Sequence, residues 1–456
     1  MTALAAYRGR DVGVLGLGRS GMAVVRALCA AGARVYVFDD QEERVAAAVR
    51  EGAIPGVADH IARLSLLVPS PGVPLEHRLV VEARLSGVRV VGDVQLYVES
   101  FPEARFVGVT GTNGKSTTAS LLYHLLRESG RDAALLGNIG TPVFDGEPPA
   151  LGITVLELSS FQLERSEALS LELAVWVGFA PDHLDRHGDL AAYLAAKRRI
   201  FDGLRPGGAA VVALSDPVSR DLAEELRTRE HIRVVAVADR RAAGQAVWLE
   251  GGWLVDGLGG DPVRVLDLGR HPRLLGPPQW RNAACAYAAA RLLGLTRAQL
   301  AGALAGFSGL PHRVEPVARI GRVLFVNDSK ATNPEAAAAS LGAFSHVFWI
   351  AGGRPKPGGF APIRPLLGRV LRAYAIGEAE DLLARALGDR VDLVRASTLE
   401  RAVRWAFSDA RAAPVDRPVV LLAPACASFD HYRDFAERGE HFRRLVRELE
   451  IQEEAS

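Results

Sequence analysis

The chain has 456 residues, of which 49% are hydrophobic and 23% charged, and its formal net charge is +1. This length predicts about three domains, and this composition is typical of a globular protein with sizeable cores. The near-neutral charge, without basic or acidic tracts, argues against nucleic acid as a partner. The sequence contains no secretion signal and no apolar run of the roughly 18 residues that a membrane-spanning helix needs. We therefore expect a cytoplasmic protein with no membrane insertion.

A glycine pattern near the start of the chain predicts a nucleotide-binding unit. Gly16, Gly18 and Gly21 form G-x-G-x-x-G between two predicted strands, and Asp39 follows the second strand. In a βαβ unit this pattern places a phosphate group at a helix N-terminus, and taken alone it favours NAD. The elements predicted in this region are a strand within Asp11–Gly18, helix Met22–Ala30, and strands Arg34–Phe38, Ser65–Gly72 and Val88–Val91.

The stretch Phe106–Thr117 predicts a phosphate-binding loop. It begins with β-prone residues, turns through glycines and continues into an apolar run at helical spacing, Ala119–Leu126. Such a turn directs backbone N–H groups and the positive end of a helix at an anion. Lys115 can reach the outer phosphates of a nucleotide, and Ser116 can place its hydroxyl on Mg²⁺. The strict pattern has a glycine where Val109 stands, and the alternative is an ordinary glycine-rich turn.

Strands and helices alternate through the rest of the chain, which predicts mostly parallel sheets. We expect an α/β fold of three domains: residues 1–100, Rossmann-like; residues 101–309, a phosphate-loop ATPase domain with a parallel sheet; and residues 310–456, again Rossmann-like. The predicted strands are Ala133–Leu136, Ile153–Ser160, Leu173–Val177, Ala209–Leu214, Val234–Val237, short segments within 245–270, Val323–Val326, Val347–Ala351, Arg372–Ile376 and Val419–Leu422. The predicted helices are Leu190–Phe201, Arg281–Leu293 and one that begins at Pro334.

Polar residues follow the ends of many of these apolar strands. In open parallel sheets, ligands bind beyond the carboxyl ends of the strands, so we expect these residues to contribute to a binding site. Glu157 is placed like the acidic residue that holds Mg²⁺ in phosphate-loop enzymes, although a helix N-cap is the alternative. His183 lies between two carboxylates in a loop, where it could also be a structural hydrogen-bonding residue. The strand-end residues are Asn138, Glu157, Ser159, His183, Asp328, Lys330 and Ser428.

Lysine is rare in this chain. Lys and Arg together number 54, and only Lys115, Lys197, Lys330 and Lys356 are lysines. A lysine that persists among so many arginines is expected where a compact charge or a reactive amine is needed, although a composition bias is the alternative. Lys197 lies within a predicted helix and is followed by two arginines. A desolvated lysine with a lowered pKa can react with CO₂ to give a carbamate that binds Mg²⁺.

Seven motifs in this chain together resemble one family, the Mur ligases, which are the ATP-dependent amide ligases of peptidoglycan precursor synthesis. The resemblance covers nearly the whole chain. The motifs are Gly111–Thr117, Gly137–Gly140, Glu157–Ser160, Asp182–Arg186 with Tyr193 and Lys197, Leu310–Arg313, Asn327–Asn333 and Pro424–Ser428.

The resemblance implies an amide ligase that works through an acyl phosphate. It implies UDP-N-acetylmuramoyl-L-alanine, D-glutamate and ATP as substrates, and two Mg²⁺ ions and a carbamylated Lys197 as cofactors. We expect the enzyme to be a monomer. A sibling ligase that adds another amino acid is the alternative within the family. A nicotinamide-dependent oxidoreductase and a non-catalytic nucleotide-binding protein are the alternatives outside it, but the oxidoreductase leaves Glu157 and most of the lysines unexplained.

The resemblance also implies roles for individual residues. Catalytic roles fall to Lys115, His183, Lys197 and Lys356. ATP binding falls to Gly111, Thr112, Asn113, Gly114, Lys115, Ser116, Thr117, Asn282, Arg313 and Asp328. Metal binding falls to Ser116, Glu157, His183 and Lys197. Substrate binding falls to Gly16, Gly18, Gly21 and Asp39 at the UDP end, to Asn138 and Ser159 at the muramoyl-alanyl arm, and to Lys330, Thr332, Lys356, Ser428 and Phe435 at D-glutamate.

Overall fold

The computed structural model describes residues 2–242, 244–356 and 358–454. The described chain is mixed α/β, as expected, and its strands form three sheets. It divides into two compact units. The first unit contains the residues up to Trp248, Asp256–Val263 and Ala284–Leu304, and the second contains Leu249–Val255, Arg264–Ala283 and the residues from Ala305 onward. The boundaries of the three domains expected from the sequence stay a prediction. None of the helices within these described ranges has the length and apolarity needed to span a bilayer.

The first sheet is built by the N-terminal part of the first unit. Its strands are β1 Asp11–Leu15, β2 Arg34–Phe38, β3 Ile54–Pro55, β4 Leu66–Pro69 and β5 Arg89–Val90, and the helices around it are α1 Thr2–Ala5, α2 Arg19–Ala30, α3 Glu42–Arg50, α4 Arg78–Leu85 and α5 Asp93–Ser100. The strand order is β3-β2-β1-β4-β5, and all pairs are parallel. Apolar residues run along β1 and β4 because a parallel sheet with helices on both faces buries both sides of its strands.

The central sheet belongs to the same unit. Its strands are β6 Arg105–Thr110, β7 Ala133–Gly137, β8 Ile153–Glu157, β9 Leu171–Trp176, β10 Leu204–Ala213, β11 Arg233–Ala238 and β12 Ala246–Glu250. They are ordered β12-β11-β10-β9-β6-β8-β7, and every pair is parallel. The carboxyl ends of β6, β7 and β8 are therefore neighbours at one edge of the sheet. Two short strands, β13 Trp253–Asp256 and β14 Val263–Asp267, follow in the chain.

Four helices pack against the central sheet and bury its apolar faces: α6 Lys115–Glu128, α7 Ser160–Leu163, α9 Leu190–Arg198 and α10 Pro217–Arg227. The further helices α8 Leu184–His187, α11 Pro277–Leu292 and α12 Arg297–Ala305 lie elsewhere along this part of the chain. The start of α10 is determined by Asp216, whose carboxylate accepts from the backbone N–H of Ser219 at 2.8 Å, and by Pro217, which favours the first helical position. The largest buried side chain of this core is that of Trp176 on β9.

The second unit contains a six-stranded sheet of order β15-β16-β20-β17-β18-β19. Its strands are β15 Glu315–Ile320, β16 Val323–Asn327, β17 Val347–Gly352, β18 Val370–Ile376, β19 Leu393–Ser397 and β20 Val419–Leu422. Only the edge strand β15 is antiparallel, and the other pairs are parallel. The helices are α13 Pro334–Leu341, α14 Glu380–Leu387, α15 Leu399–Ala412 and α16 Phe435–Glu454. One apolar cluster packs on each face of this sheet.

Short 3₁₀ segments connect several of these elements. They are Ala58–Arg63, Val143–Asp145, Arg199–Phe201, Leu268–Arg270, Ala361–Arg369, Gly377–Ala379 and Gly388–Arg390. The predicted helix over 190–201 is thus an α-helix that ends in a 3₁₀ turn. The helix predicted from Arg281 begins earlier, at Pro277, because proline is tolerated in the first turn of a helix.

Candidate active site

The predicted phosphate loop connects β6 to α6 in the first unit. Gly111 and Gly114 have φ of +145° and +87°, a region that favours glycine. A Cβ on Gly111 would lie only 2.9 Å from the carbonyl oxygen of Gly178, so this position also requires glycine for close backbone approach. The backbone N–H of Thr112 donates to that same Gly178 oxygen at 3.0 Å. The loop is therefore held against the end of the neighbouring strand β9, with the N-terminus of α6 behind it.

Two of the four lysines meet at this loop. Lys115 Nζ donates to the carbonyl oxygens of Gly111 at 3.0 Å and Thr112 at 2.7 Å. Lys197 Nζ, which comes from α9, donates to the same Gly111 oxygen at 2.6 Å. The Nζ atoms of Lys115 and Lys197 thus meet at one carbonyl oxygen, where the turn already directs N–H groups outward. The arrangement is suited to an anion with several negative charges.

Lys197 is buried, with 1% of its surface exposed. Burial is the largest cause of a pKa held well below the ordinary lysine value, and repulsion from Lys115 lowers this pKa further. The Nζ atom also lies 4.8 Å from the centroid of the Tyr193 ring. Lys197 is therefore not a solvated charge on the surface of its helix. A neutral amine at this position is a nucleophile, which a protonated surface lysine is not.

Glu157 ends β8 beside Asn138, which follows β7. Glu157 Oε1 accepts from Asn138 Nδ2 at 2.9 Å, and the backbone N–H of Asn138 donates to the Glu157 carbonyl oxygen at 2.9 Å. Glu157 is 1% exposed, and its Oε2 has no hydrogen-bond partner in the described ranges. Ser159, not Glu157, caps the following helix α7, where its Oγ accepts from the backbone N–H of Gln162. A buried carboxylate oxygen without a partner is a site for a cation.

His183 precedes α8 with a positive φ of +54°, which is uncommon for a non-glycine residue. Its ring lies 4.9 Å from the Phe161 ring and 6.2 Å from the Tyr193 ring, centroid to centroid. Its Nε2 is 3.5 Å from a carboxylate oxygen of Asp182. The side chain is 40% exposed. Backbone strain at an exposed histidine is typical of a functional loop.

An ion-pair cluster holds this loop and was not predicted. Glu164 accepts from Arg165 at 2.6 Å and from Arg186 at 2.5 Å. Both arginines also donate to the carbonyl oxygen of Val73, in the loop after β4. The cluster therefore joins the first sheet to the segment that carries His183. Arg186 lies in a motif noted in the sequence, but nothing in the sequence distinguished Arg165 from the other arginines.

A cavity of about 920 Å³ lies within the first unit, between the first sheet and the loop after β7. Four residues predicted to bind substrate line it: Gly16, Gly18, Asp39 and Asn138. Asp39 accepts from the backbone N–H groups of Leu17 at 2.6 Å and Gln41 at 2.9 Å, so it orders the glycine turn. The predicted residue Gly21 does not line the cavity. A Cβ there would lie 2.0 Å from the Gly16 carbonyl oxygen, so Gly21 permits helix α2 to pack on the turn.

Basic and polar side chains that the sequence did not distinguish also line this cavity. Arg19 donates to the Gly140 carbonyl oxygen at 3.0 Å. The basic lining suits a diphosphate group. The lining side chains that sequence reasoning missed include Arg19, Arg44, His77, Arg78 and Gln162. Arg19 alone carried a signal, since it follows the second glycine of the fingerprint directly.

In the second unit, Asp328 follows β16 and is buried. Burial raises the pKa of its carboxyl to about 6. Its oxygens accept from the backbone N–H of Val314 at 3.2 Å and from the Ser340 hydroxyl. Arg313 lines a cavity of about 280 Å³ together with Arg273 and Arg443. Asn282 lies buried on α11. The structure thus brings Asp328 next to the segment that contains Arg313.

The other predicted residues of the second unit lie on loops at the carboxyl ends of β16, β17 and β20. Lys330 Nζ is 4.2 Å from the centroid of the Phe435 ring, at the start of α16. Ser428 is buried, and Thr332 and Lys356 are half-buried. The loops after β16 and β20 are joined by a hydrogen bond from Ala425 N–H to the Ala331 carbonyl oxygen at 2.9 Å. Parallel strands bring these three loops to one edge of the sheet.

Residues 109–290 match the family model of the Mur ligase middle domain, and residues 10–92 match the model of the Mur ligase MurD-like N-terminal domain. The UDP-N-acetylmuramoylalanine–D-glutamate ligase of Nitrobacter hamburgensis is 42% identical over 460 residues, which cover 98% of each chain. The enzyme of the same name from Paramagnetospirillum magneticum is 43% identical, also over 98% of each chain. This chain belongs to the Mur ligase family.

Solved structures of other Mur ligases have the same fold. The MurF ligase of Thermotoga maritima in complex with ADP superposes with a TM-score of 0.60 at 18% identity, covering 99% of this chain and 97% of that one. The MurC ligase of the same organism has a TM-score of 0.57 at 18% identity, covering 96% and 100%. As a Mur ligase the chain is an ATP-dependent ligase, and the alternatives of an oxidoreductase and a non-catalytic protein are excluded.

Proposed function

We propose that this Mur ligase joins D-glutamate to UDP-N-acetylmuramoyl-L-alanine in peptidoglycan precursor synthesis. The alanyl carboxylate attacks the γ-phosphate of ATP, which gives an acyl phosphate and ADP. The amine of D-glutamate then attacks the acyl carbon, and phosphate leaves from the tetrahedral intermediate. The identity of about 42% to ligases with this name over nearly the full chain supports the choice of substrates.

The phosphate loop has to bring two anions together in the first step. A carboxylate and a triphosphate repel each other, so the transition state depends on fixed positive charge. Lys115 donates to two carbonyl oxygens of the loop and so lies where the outer phosphates would bind. We assign ATP binding to the loop residues Gly111–Thr117 and, in the second unit, to Asn282, Arg313 and Asp328. The shared contact of Lys115 and Lys197 with Gly111 is the single observation that carries the proposal.

Lys197 fits the role of a carbamylated lysine. Its amine is buried, its pKa is lowered, and it donates only one hydrogen bond within the described ranges. The neutral amine would add to the carbon of CO₂ and release one proton, which leaves an N-carboxylate on the side chain. That reaction turns a neutral amine into an anion next to the phosphate loop. Arginine could not replace lysine here, because its guanidinium stays protonated.

The residues present fit Mg²⁺. No group of three or more His, Cys, Asp and Glu side chains in the described ranges is arranged as a metal site. Mg²⁺ does not require one, since it is usually bound by one or two carboxylates together with substrate phosphates and water. Two ions would be held by the unpartnered Oε2 of Glu157, together with Ser116, His183 and the carbamate of Lys197. When bound, Mg²⁺ supplies charge neutralisation between the carboxylate and the triphosphate.

We assign the cavity of about 920 Å³ to the UDP end of the substrate. Its size lies in the range of cofactor-sized pockets, and the turn Gly16–Gly18 lies at the N-terminus of α2, where a diphosphate is favoured. Asn138 lines the cavity and also contacts Glu157, so it connects the substrate cavity to the proposed metal site. Ser159 would contact the muramoyl-alanyl arm from the start of α7.

The second unit would bind D-glutamate through Lys330, Thr332, Lys356, Ser428 and Phe435. This amino acid carries two carboxylates, which require cationic or hydroxyl partners. The attacking amine must be neutral, so it must lose a proton before it attacks. Water must be kept from the acyl phosphate until then.

We further propose that the enzyme acts as a monomer in the cytoplasm. One chain supplies every residue assigned above, which supports the monomer. Analytical ultracentrifugation of the purified chain tests the monomer.

Phosphate release from ATP tests the proposed reaction. Purified enzyme is mixed with UDP-N-acetylmuramoyl-L-alanine, Mg²⁺ and a panel of D- and L-amino acids, one at a time. We expect release with D-glutamate only, and a matched Lys115→Met variant should show none, which assigns the activity to the phosphate loop. Faster release with L-alanine, a diamino acid or a dipeptide would instead identify a sibling ligase.

A further inference from the structure

Arg438 is among the largest fully buried side chains of the protein, and no role has been assigned to it above. It lies in the first turn of α16, four residues from the end of the loop that follows β20, and 1% of its surface is exposed. Arginine is rarely buried to this extent unless its donors are all satisfied or an ion pair compensates its charge.

The guanidinium of Arg438 donates to three separate loops. Nε donates to Ser329 Oγ and Nη2 to the Ser329 carbonyl oxygen, both at 3.0 Å, in the loop after β16. Nη1 approaches the Gly352 carbonyl oxygen at the end of β17 at 3.4 Å. In the loop after β20, Nη2 donates to the Cys426 oxygen at 3.2 Å and Nη1 approaches the Ala427 oxygen at 3.4 Å. One side chain therefore sets the spacing of all three carboxyl-end loops.

These loops carry the residues assigned to D-glutamate. Ser329 directly precedes Lys330, Ala427 directly precedes Ser428, and Gly352 starts the loop that leads to Lys356. The packing leaves little room for adjustment. A Cβ on Gly353 would lie 2.2 Å from the Ala427 carbonyl oxygen and 3.0 Å from Arg438 Nη1.

The charge of Arg438 is not neutralised by an ion pair. Within the described ranges no carboxylate oxygen lies within 4 Å of its guanidinium, and its contacts are carbonyl and hydroxyl oxygens. Burial lowers its pKa to about 10, so the group is still protonated at neutral pH. A buried cation of this kind raises the positive potential at the loops around it. An acid that binds there gains from this potential, and a neutral ligand does not.

We propose that Arg438 is a positioning residue for the amino-acid substrate, which fixes the three loops and favours a ligand with two carboxylates. The inference rests on the proposed function, because that function assigns these loops to D-glutamate. The geometry explains why arginine stands here. Its planar fork of five N–H groups meets acceptors from three directions, whereas a lysine offers three donors on one nitrogen.

Steady-state kinetics with Arg438→Lys tests the proposal. The variant keeps the charge and loses the fork, so the loops should shift relative to one another. A misplacement of about 1 Å can cost an enzyme up to about 100-fold in rate. We therefore expect the KM for D-glutamate to rise at least ~10-fold in this variant. The KM for ATP and for UDP-N-acetylmuramoyl-L-alanine should stay within about twofold, because a positioning role confined to these loops leaves those sites intact. Arg447→Lys, an exposed site on the same helix, is the matched control and should behave as wild type.

A milder variant guards against loss of folding. Ser329→Ala removes the hydroxyl that accepts from Arg438 Nε and leaves the guanidinium in place. It should raise the KM for D-glutamate in the same selective way by a smaller factor, and thermal unfolding establishes that each variant is folded. An unchanged KM for D-glutamate in folded Arg438→Lys overturns the proposal. An equal change in all three KM values also overturns it, since that result indicates a general structural role.

The wild type separates this test from the test of the proposed function. If the wild type releases phosphate only with another amino acid, the assignment of D-glutamate fails, and the three KM values are measured with that amino acid instead. A selective rise then still supports a positioning role for Arg438. Arg438→Met removes the charge as well as the fork, so it should raise the KM for D-glutamate more than Arg438→Lys does. An equal rise in the two variants would overturn the electrostatic part of the proposal.

Discussion

The edge of the central sheet contains a fully buried lysine and the edge of the second unit's sheet a fully buried arginine, and the two side chains differ in their hydrogen bonding. Lys197 and Arg438 are each 1% exposed, and neither has a carboxylate oxygen within 4 Å among the described residues. Lys197 donates one hydrogen bond, to Gly111, whereas the guanidinium of Arg438 contacts five oxygens. The difference separates an amine that can lose its proton from a cation that cannot.

Burial disfavours the charged form of both side chains, but with different consequences. The pKa of Lys197 falls well below its ordinary value, while that of Arg438 falls only to about 10. At neutral pH the lysine can therefore react as a free amine, and the arginine stays a cation whose desolvation is offset by carbonyl oxygens. The same degree of burial thus favours covalent chemistry at one edge and fixed geometry at the other. Substitutions at these two edges therefore test the contrast one part at a time.

The largest effect is expected at Lys197. Lys197→Ala removes the proposed carbamate and with it a metal ligand, which should cost several kcal/mol of transition-state stabilisation, or roughly 10³-fold in kcat. Short carboxylates such as acetate should restore part of the activity of the alanine variant, because they can fill the space of the carbamate. Phosphate release with and without added carboxylate measures both effects.

Lys197→Arg is the matched control for charge. It keeps a cation at this position but cannot form a carbamate, so it should be as inactive as the alanine variant and should not respond to carboxylates. Full activity of the arginine variant would show that only positive charge matters here, and the contrast with Arg438 would then disappear.

The next effect is expected at Gly353, beside Arg438. Its φ of +122° and the 2.2 Å approach of a Cβ to the Ala427 oxygen mean that Gly353→Ala must displace the loop after β20. Strained substitutions of this kind cost about 1–3 kcal/mol, and the KM for D-glutamate should rise because Ser428 moves with the loop. Urea unfolding and steady-state kinetics measure the two effects. Gly368→Ala, in the same unit with open space around its Cα, should change neither value. Equal behaviour of the two variants would show that the loop tolerates displacement.

Much of the fold could be predicted because its signals are local. Apolar runs ending in glycine marked the parallel strands, and Pro334 marked the start of α13. The structure adds that the Asn333 side chain caps this helix by accepting from the backbone N–H of Ala336 at 2.7 Å. The edge strand β15 was not predicted, because its residues Glu315–Ile320 are mostly half-exposed and contain a proline. Such a strand has no continuous apolar run, and its place is set by pairing with β16.

The two buried cations differed in how far the sequence could reveal them. Lysine is so rare in this chain that its scarcity alone drew attention to Lys197, and the structure shows this residue buried at the phosphate loop. Arg438 is one of fifty arginines, and no spacing distinguishes it from those on the surface. Its position is decided by three loops that are distant in sequence, so only the folded chain reveals it. The same reason explains why Arg165 was missed.

The pH dependence of stability distinguishes the two cations directly. At pH values between the lowered pKa of Lys197 and 10.5, the unfolded chain binds a proton on this amine that the folded chain lacks. The free energy of unfolding should therefore rise with pH in this window by up to about 1.4 kcal/mol per pH unit, and this slope ends above 10.5. Arg438 contributes no slope below pH 9, since it is protonated in both states.

Urea unfolding at pH 7, 8 and 9 in CO₂-free buffer measures this slope. Lys197→Met lacks this titrating amine and should lose the slope. The unfolding free energy of the wild type should therefore rise relative to that of the variant as the pH rises. Arg220→Met, an exposed site on α10, should preserve the wild-type slope. Parallel curves for wild type and Lys197→Met would mean that the buried amine is protonated in the folded chain, which contradicts the reactive-amine interpretation.

The smallest effect is expected at Arg354, which directly follows Gly353. Its backbone N–H donates to the Ala427 oxygen at 2.9 Å and its carbonyl oxygen accepts from the Ala427 N–H at 3.0 Å, so the main chain joins the two loops. Its side chain pairs with Glu378 at 3.1 Å, but both side chains are about half-exposed. Such pairs contribute little, so Arg354→Ala should change the KM for D-glutamate by about twofold or less. A rise as large as that expected for Arg438→Lys would place an exposed arginine on a par with the buried one, and burial would then not be what gives Arg438 its role.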